Sequence, residues 1–328
     1  MAESSVAEAR SGSMGLMKYQ VENVLQGKQL AFLVGAPRSG TTWLQLLLSR
    51  SPSVVTAQET HLFDLFLRSM LDQWDFHRRV GDHVGLNAVL NDEEFHDLLR
   101  IASGFVFAKM ARSKPSATVV LEKTPNHVNC YREILDLWPD AHFIHIIRDP
   151  RSVVASMRVA SKSWGRYWAS SRISTNCERW ISDVSNGRQI SSITDNYQEV
   201  TFEELIANGP EALTRIFCGL GVPSSLHDCR RYIDECNIQS LKAGKLENAP
   251  FPVANTARIG TTDSWRVELS ALEIAMLEHL VSPLISELGF KPVIASRSLS
   301  ALAAMCCTVA GAARWAKWRL IQQMTQRC

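Results

Sequence analysis

A strand, a glycine-containing loop and a helix follow one another near the start of the chain, and they constrain the fold more than any other feature. The apolar run 30–34 has the length of a buried strand, and a helical pattern covers residues 41–50. The loop between them contains Gly35, Pro37 and Gly40. Such a turn directs backbone N–H groups and the positive end of a helix dipole at one point. The stretch therefore predicts an anion site suited to phosphate or sulfate.

This loop resembles a Walker A loop in its spacing but differs in its cation. Gly35 and Gly40 fit the G-x-x-x-x-G spacing, but Thr41 and Thr42 stand where a nucleotide triphosphatase needs lysine and a hydroxyl residue. The cation is Arg38 instead, whose planar guanidinium can hold a phosphate diester or a sulfonyl group. The loop thus gives poor support to transfer of a terminal phosphate, and a P-loop kinase of small molecules is kept as an alternative.

Predicted strands alternate with predicted helices between residues 30 and 160, which indicates parallel βαβ units. Arg38, Glu59, Lys123 and Arg148 each follow the end of a predicted strand. Because ligands bind at the carboxyl ends of parallel strands, we expect these four side chains at the same edge of the sheet. The predicted fold class is α/β, with a central parallel β-sheet flanked by helices.

Two motifs resemble those of the sulfotransferases that use 3′-phosphoadenosine 5′-phosphosulfate (PAPS). The run 37–43, Pro-Arg-Ser-Gly-Thr-Thr-Trp, is similar to the loop that binds the 5′-phosphosulfate. Arg148 and Ser156 stand eight positions apart, as in the family's 3′-phosphate-binding motif. The resemblance covers roughly residues 30–290. It implies a P-loop-like sulfotransferase fold, PAPS as co-substrate, 3′-phosphoadenosine 5′-phosphate (PAP) as product, and no metal.

The resemblance also assigns co-substrate contacts residue by residue. Trp43 matches the residue that stacks on adenine in cytosolic sulfotransferases, and Phe202 stands where the family often has a tyrosine beside the nucleotide. Arg258 and Gly260 resemble a late segment that closes over the 3′-phosphate. The residues expected to bind the co-substrate are Arg38, Ser39, Gly40, Thr41, Thr42, Trp43, Arg148, Ser156, Phe202, Arg258 and Gly260.

Sulfuryl transfer requires that the acceptor lose a proton, so a base is expected. Glu59 resembles the base of tyrosylprotein sulfotransferases, and His61 and then His127 are the alternatives. Arg38 and Lys123 are expected to neutralise charge on the leaving phosphate. Lys123 resembles the lysine that assists transfer in tyrosylprotein sulfotransferases. A desolvated Glu59 could act as a base against the pull of these cations toward a low pKa.

The acceptor is expected to be a small molecule of secondary metabolism that offers a hydroxyl or an amine. Trp164, Trp168 and Trp180 lie in the middle segment and could line a pocket for it. No run of basic residues suits a heparin-like chain. A peptide tyrosine and a carbohydrate are the other acceptors considered, and a nucleotide-binding module without turnover is a third interpretation of the chain.

Composition and charge bound the remaining expectations. A net charge of +2 argues against nucleic acid as a partner of the whole molecule. Eight cysteines without CxxC spacing, and an N-terminus without the apolar core of a signal peptide, favour a cytoplasmic location. We expect a flexible tail and lead-in helix at 1–28, a sulfotransferase domain at 29–292 and a cationic C-terminal helix at 293–328. That helix is expected to pack on the domain or on a homodimer partner rather than on a membrane.

Overall fold

A five-stranded parallel sheet, with strand order β2-β3-β1-β4-β5, organises the chain. The computed structural model describes residues 21–81, 84–237, 263–282, 284–293, 296 and 298–308. The strands are β1 (Gln29–Val34), β2 (Val54–Thr56), β3 (Val119–Glu122), β4 (His142–Ile147) and β5 (Tyr197–Thr201). The predicted α/β class with a parallel sheet is therefore confirmed.

Strand β1 lies in the middle of this sheet. Its Ala31 is paired with Leu121 of β3 on one side and with His142 of β4 on the other. The chain leaves β1 toward β2 on one side and crosses β1 in passing from β3 to β4. The carboxyl end of β1 is thus a topological switch point, the usual place for a ligand in sheets of this kind.

Helices connect the strands and continue after β5. None of those in the described ranges is long and apolar enough to cross a membrane. The α-helices are α1 (Thr41–Ser49), α2 (Arg68–Val80), α3 (Asp92–Ser113), α4 (Tyr131–Leu137), α5 (Pro150–Ser161), α6 (Ile173–Ile190), α7 (Phe202–Ala207), α8 (Gly209–Gly219), α9 (Leu226–Glu235), α10 (Trp265–Glu268), α11 (Ala271–Val281) and α12 (Leu284–Glu287). A π-helix covers Leu62–Leu67, and short 3₁₀ helices cover Gly85–Ala88 and Pro125–Asn129.

Local sequence signals explain where some of these helices begin. Asn91 accepts a hydrogen bond from the backbone of Glu94, and the Glu94 side chain accepts one from the backbone of Asn91. This capping box satisfies two N–H groups at the start of α3. Asp149 caps α5 by a single hydrogen bond, which its side chain accepts from the backbone N–H of Arg151.

The chain divides into two compact units. The first comprises Gly40–Ile147, Asn186–Ile259 and the chain up to Gly35, and the second comprises Ala36–Ser39, Arg148–Ser185 and the chain from Gly260 on. The boundaries expected after residues 28 and 292 stay predictions. Residues 1–20 of the predicted tail and 309–328 of the predicted C-terminal helix lie outside the described residues.

The first unit has a hydrophobic core on each face of the sheet. Phe32 and Val34 of β1 enter one core together with side chains of α3 and α4. Ala31 and Leu33 enter the other together with side chains of α1, α8 and α9. Because successive side chains of a strand point to opposite faces, this alternation means that β1 is covered by helices on both sides.

The second unit is built around α5 and Arg151. The Arg151 guanidinium forms ion pairs with Asp149, at 2.7 Å, and with Glu278 of α11, at 2.8 Å. It also lies over the Trp265 ring of α10, with its central carbon 4.6 Å from the ring centroid. These contacts join α5 to α10 and α11 within the unit.

Candidate functional site

The loop between β1 and α1 has a backbone that requires glycine at both of its ends. Gly35 and Gly40 have φ angles of 146° and 97°. A side chain at Gly35 would collide with the Ile146 carbonyl, and a Cβ at Gly40 would lie 2.5 Å from the Phe202 ring. Arg38, between them, adopts a left-handed conformation with φ 76°, which is uncommon for a residue with a side chain. The loop geometry is thus specified by particular residues, as its sequence predicts.

In the second unit, two arginines and a serine predicted to bind the co-substrate lie together. Arg38 Nε donates to Ser156 Oγ at 3.0 Å, and Arg148 Nη1 donates to the Arg38 carbonyl at 3.1 Å. Ser39 Oγ in the same loop is fully buried and has no hydrogen-bond partner among the described residues. Two guanidinium groups and a hydroxyl in contact, with a second hydroxyl in the same loop, can bind a phosphate or sulfate group.

The three tryptophans of the middle segment have different environments. Trp164 is 48% exposed, and the Arg38 guanidinium lies 5.3 Å from its ring centroid. Trp168 packs beside Trp164 with a centroid separation of 5.3 Å. Trp180 is fully buried in α6, and its N–H donates to the Arg148 carbonyl at 3.1 Å. The expectation that Trp180 lines an acceptor pocket is therefore wrong, because its ring is fully buried.

In the first unit, the structure brings Glu59 and Lys123 together. Lys123 Nζ lies 2.5 Å from Glu59 Oε1. The pair forms because Glu59 follows β2 and Lys123 follows β3, and these neighbouring parallel strands end at the same edge. The Lys123 side chain is 3% exposed, whereas that of Glu59 is 36% exposed. The carboxylate therefore stays accessible while a buried cation balances its charge.

Glu122, the last residue of β3, holds the two segments that carry this pair. Its buried carboxylate accepts hydrogen bonds from Thr60 Oγ1 at 2.8 Å and from Thr124 Oγ1 at 2.7 Å. Thr60 follows Glu59, and Thr124 follows Lys123. Glu122 thus fixes the neighbours of both members of the ion pair.

His127 is enclosed between two carboxylates. Its Nδ1 lies 2.8 Å from Glu122 Oε2, and its Nε2 lies 3.5 Å from Asp64 Oδ1. Burial lowers the pKa of His127, but Glu122 and Asp64 raise it to about 9. Burial raises the pKa of Glu122, but His127 and the two threonine hydroxyls lower it to about 2. The Phe63 amide, 3.1 Å from Nε2, donates there only when Nε2 carries no proton, so it competes with Asp64 for that nitrogen.

His61 also contacts two carboxylates. Its Nδ1 lies 3.0 Å from Asp64 Oδ2, and its Nε2 lies 3.5 Å from Glu59 Oε2. Burial raises the pKa of Asp64, but hydrogen bonds from His127, His61 and Asn126 hold it well below its ordinary value. The cluster defined by Glu59, His61, Asp64, Glu122, Lys123 and His127, hereafter the acid–base cluster, is therefore continuous within the first unit.

The residues predicted to lie beside the adenine are buried. Trp43 is 5% exposed and packs edge to face on Phe202, with the ring centroids 5.6 Å apart. The indole N–H of Trp43 donates to the Cys236 carbonyl at 3.0 Å. Both rings therefore contribute to the core around α1.

Other predicted residues lie at the start of α1 or outside the described part of the chain. Thr41 is the first residue of α1 and Thr42 the second. Arg258 and Gly260 lie outside the described residues. Within the described ranges, no group of three His, Cys, Asp or Glu residues could hold a metal ion.

Sequence reasoning missed Asp64 and Glu122. Asp64 stands three residues after His61, the spacing at which side chains meet within a helical turn. Glu122 is an acidic residue at the end of an apolar strand, directly before Lys123. A charge in that position is unusual unless it is paired, and this is the signal that could have identified it.

Comparisons with known proteins point to the sulfotransferases, the family that the two sequence motifs resemble. A family model described as "Sulfotransferase family" matches residues 31–227. The nodulation protein NoeE of Sinorhizobium fredii is 23% identical over 80% of this chain and 66% of its own length. A putative protein-tyrosine sulfotransferase of Caenorhabditis briggsae is 28% identical over 80% of this chain and 89% of its own.

The fold is shared with solved sulfotransferase structures, of which the following is one example. The sulfotransferase domain from the curacin biosynthetic pathway matches 81% of this chain and 99% of its own, with a TM-score of 0.54 and 14% identity. At that identity the match bears on the architecture alone.

Proposed function

This chain belongs to the sulfotransferase family, and we propose that it transfers the sulfuryl group of PAPS to a hydroxyl or amine of a small-molecule acceptor. The observation that carries the choice of PAPS is the cluster of Arg38, Arg148 and Ser156. Arg38 and Ser156 share a hydrogen bond, and Arg148 is held against the Arg38 backbone. We assign the 5′-phosphosulfate to Arg38 and the loop, and the 3′-phosphate to Arg148 and Ser156.

Two features support binding of the donor's anionic groups. The hydroxyl of Ser39 is buried and without a partner among the described residues, so a ligand oxygen could satisfy it. Arg38 offers several N–H donors in one plane, which match the oxygens of a phosphate or sulfonyl group. Trp43, Phe202, Arg258 and Gly260 are the further contacts implied by the resemblance, and they stay predictions.

The proposed reaction is an in-line displacement at sulfur. A bond forms between the acceptor oxygen or nitrogen and sulfur, while the bond from sulfur to the 5′-phosphate oxygen breaks and PAP leaves with the electron pair. Neutralisation of the negative charge that develops on the leaving phosphate is the role that the resemblance implies for Arg38 and for Lys123, and both roles stay predictions. The acceptor's proton goes to a base of the protein.

Glu59 is the base that the geometry supports best. Its carboxylate is 36% exposed, so an acceptor could approach it. His127 is fully buried between Glu122 and Asp64, and this burial does not favour contact with an acceptor. The Lys123 ammonium, 2.5 Å from Glu59 Oε1, holds this carboxylate in place.

A peptide tyrosine is the second candidate acceptor. The observation that favours it is the relative in Caenorhabditis briggsae whose name describes a putative protein-tyrosine sulfotransferase. The cytoplasmic location, the homodimer and a place in secondary metabolism stay predictions of the sequence.

Transfer of radiolabelled sulfate tests the proposal. The protein would be incubated with labelled PAPS and a panel of phenols, alcohols, amines, a tyrosine peptide and an oligosaccharide. We expect label on small acceptors. Arg38→Ala should lower transfer by about 100-fold or more, since removing one donor to a developing oxyanion costs about 10²–10³ in rate.

A matched control variant and two contradicting results complete the test. Arg231, which is 56% exposed in α9, is replaced by alanine as the control and should leave the rate unchanged. Phosphorylation of the acceptors from ATP would refute the donor. Label on the tyrosine peptide or the oligosaccharide alone would refute the small-molecule acceptor.

A further inference from the structure

We propose that Asp64 and His61 form a proton relay that removes the proton from the base Glu59 after each transfer. Asp64 holds the Nδ1–H of His61, and Nε2 of His61 takes the proton that Glu59 has received from the acceptor. This inference rests on the proposed function and adds Asp64, which neither the motifs nor the resemblance assigns. Asp64 acts as a positioning residue and His61 as a relay residue.

The contacts of His61 assign its two ring nitrogens to different tasks. Asp64 Oδ2 lies 3.0 Å from Nδ1, and Asp64 Oδ1 lies 3.3 Å from the same nitrogen. An ionised carboxylate accepts hydrogen bonds but donates none, so Nδ1 must carry a proton toward Asp64. In the neutral ring the lone pair then resides on Nε2, which faces Glu59 Oε2 at 3.5 Å.

The two carboxylate oxygens of Glu59 face different partners, one the Lys123 ammonium and the other the His61 lone pair. Oε1 lies 2.5 Å from Lys123 Nζ, and Oε2 is the atom that faces His61. A proton taken by Glu59 therefore has a basic nitrogen close to it. A separation of 3.5 Å is closed by a small rotation or by one water molecule, and catalytic hydrogen bonds are often long before the substrate binds.

The proton can be followed from the acceptor to water, with one bond broken for each bond formed. The acceptor's O–H or N–H bond breaks as an O–H bond forms at Glu59. That bond breaks in turn as an N–H bond forms at Nε2 of His61, and the imidazolium then releases the proton to water. The His61 side chain is 41% exposed, so exchange with solvent is direct.

Charged side chains surround the His61 ring. Glu59 and Asp64 face the ring directly, and both are carboxylates. Asp64 is itself held by Asn126 Nδ2 at 3.0 Å and lies 3.5 Å from His127 Nε2.

Charged side chains also lie beyond these two carboxylates. Lys123 lies behind Glu59, and Glu122 lies behind His127. The two carboxylates therefore lie nearest the ring, and the two cations, Lys123 and His127, lie beyond them.

The backbone of His61 is adapted to this position. It has φ 49°, in the left-handed region, and directly precedes the π-helix Leu62–Leu67. Asp64 lies in that π-helix, a feature that occurs frequently at functional sites. Strained backbone is retained where surrounding structure requires it, and here it brings His61 between Asp64 and Glu59.

Steady-state transfer from PAPS against pH tests the relay. His61→Ala and Asp64→Asn should each lower kcat by about 10- to 100-fold, with the KM for PAPS unchanged. Added imidazole should restore much of the kcat of His61→Ala. The exposed His227 is replaced by alanine as the matched control and should change neither constant.

A double-mutant cycle separates relay from structure. In a Glu59→Gln background, His61→Ala should cause no further loss, because the relay acts only through Glu59. Thermal melting checks that Asp64→Asn is folded, and His61→Ala, at a partly exposed site, provides the independent variant if it is not.

The outcomes are distinguishable. Full kcat and an unchanged pH profile in His61→Ala, with a wild type that turns over PAPS, would overturn the relay alone. Loss of activity in His61→Ala that imidazole does not restore and that adds fully to Glu59→Gln would also overturn it. No transfer from PAPS by the wild type would refute the proposed function and the relay with it.

Discussion

Replacing His127 by glutamine should abolish a loss of stability that the wild-type protein shows as the pH rises from 6.5 toward 9. The ring of His127 lies between Glu122 and Asp64, and these carboxylates raise its pKa from 6.5 to about 9. The folded state therefore binds a proton that the unfolded state releases near pH 6.5. Stability from this group is fully present below pH 6.5 and is lost as the pH rises through 9.

The magnitude follows from the difference between the two pKa values of His127. A shift from 6.5 to about 9 corresponds to about 3 kcal/mol, at roughly 1.4 kcal/mol for each pKa unit. Glu122 has the opposite effect on the pH dependence of stability. Its pKa falls from 4.5 to about 2, so its contribution to stability is lost as the pH falls through 2. The two shifts describe one ion pair and are not added. The pair therefore stabilises the fold most between pH 4.5 and 6.5.

Urea unfolding at a series of pH values measures this effect. The wild-type free energy of unfolding should fall by about 3 kcal/mol more between pH 6.5 and 9 than that of His127→Gln. His227, which is exposed, is replaced by glutamine as the control and should keep the wild-type slope. An equal slope in His127→Gln would refute the reasoning. It would mean that the ring is neutral and accepts the Phe63 amide at Nε2 throughout this range.

Three further predictions concern turnover and packing. Glu59→Gln should lower kcat by about 10²–10⁴ with PAP affinity unchanged, measured by sulfate transfer and calorimetry; an unaltered kcat would exclude Glu59 as the base. Gly40→Ala should destabilise the protein by about 1–3 kcal/mol in urea unfolding, because the added Cβ meets the Phe202 ring. Trp180→Phe should cost about 1–3 kcal/mol in the same assay, since the buried Arg148 carbonyl loses its indole donor, and an unchanged midpoint would contradict this.

The parallel sheet and the pairing of Glu59 with Lys123 were predictable from sequence for the same reason. Apolar runs of strand length alternate with helical patterns, and this alternation by itself implies parallel strands. Residues that follow neighbouring parallel strands meet at one edge, so a glutamate after β2 and a lysine after β3 come together. The loop with Arg38 was predictable because glycines at fixed offsets specify its backbone.

The contacts of Asp64, Glu122 and His127 within the acid–base cluster could not be predicted, because they depend on tertiary burial. The spacing of Asp64 from His61 allows the two side chains to meet, but no local pattern shows that Asp64 is buried to 5% exposure. The same holds for His127, which the sequence allowed as a base and which the structure encloses between carboxylates. Such pairs form only when segments distant in sequence are packed together.

Trp180 shows a different kind of error. Cys177, Trp180 and Val184 recur at helical spacing, and all three are fully buried. This pattern predicts a core-facing stripe of α6, and it is a better guide than the number of tryptophans in the segment. Trp180 has the residue type of a pocket-lining side chain, but its position in this stripe makes it a core residue.

The use of PAPS is tested most directly by calorimetric titration of the protein with PAP, beside ATP and ADP without Mg²⁺. We predict tight binding of PAP alone. Arg148→Ala should weaken it by about 10- to 150-fold, since a hydrogen bond to a charged group contributes about 1.5–3 kcal/mol. Preference for ATP, or PAP binding that is indifferent to Arg148, would contradict the assignment of the donor.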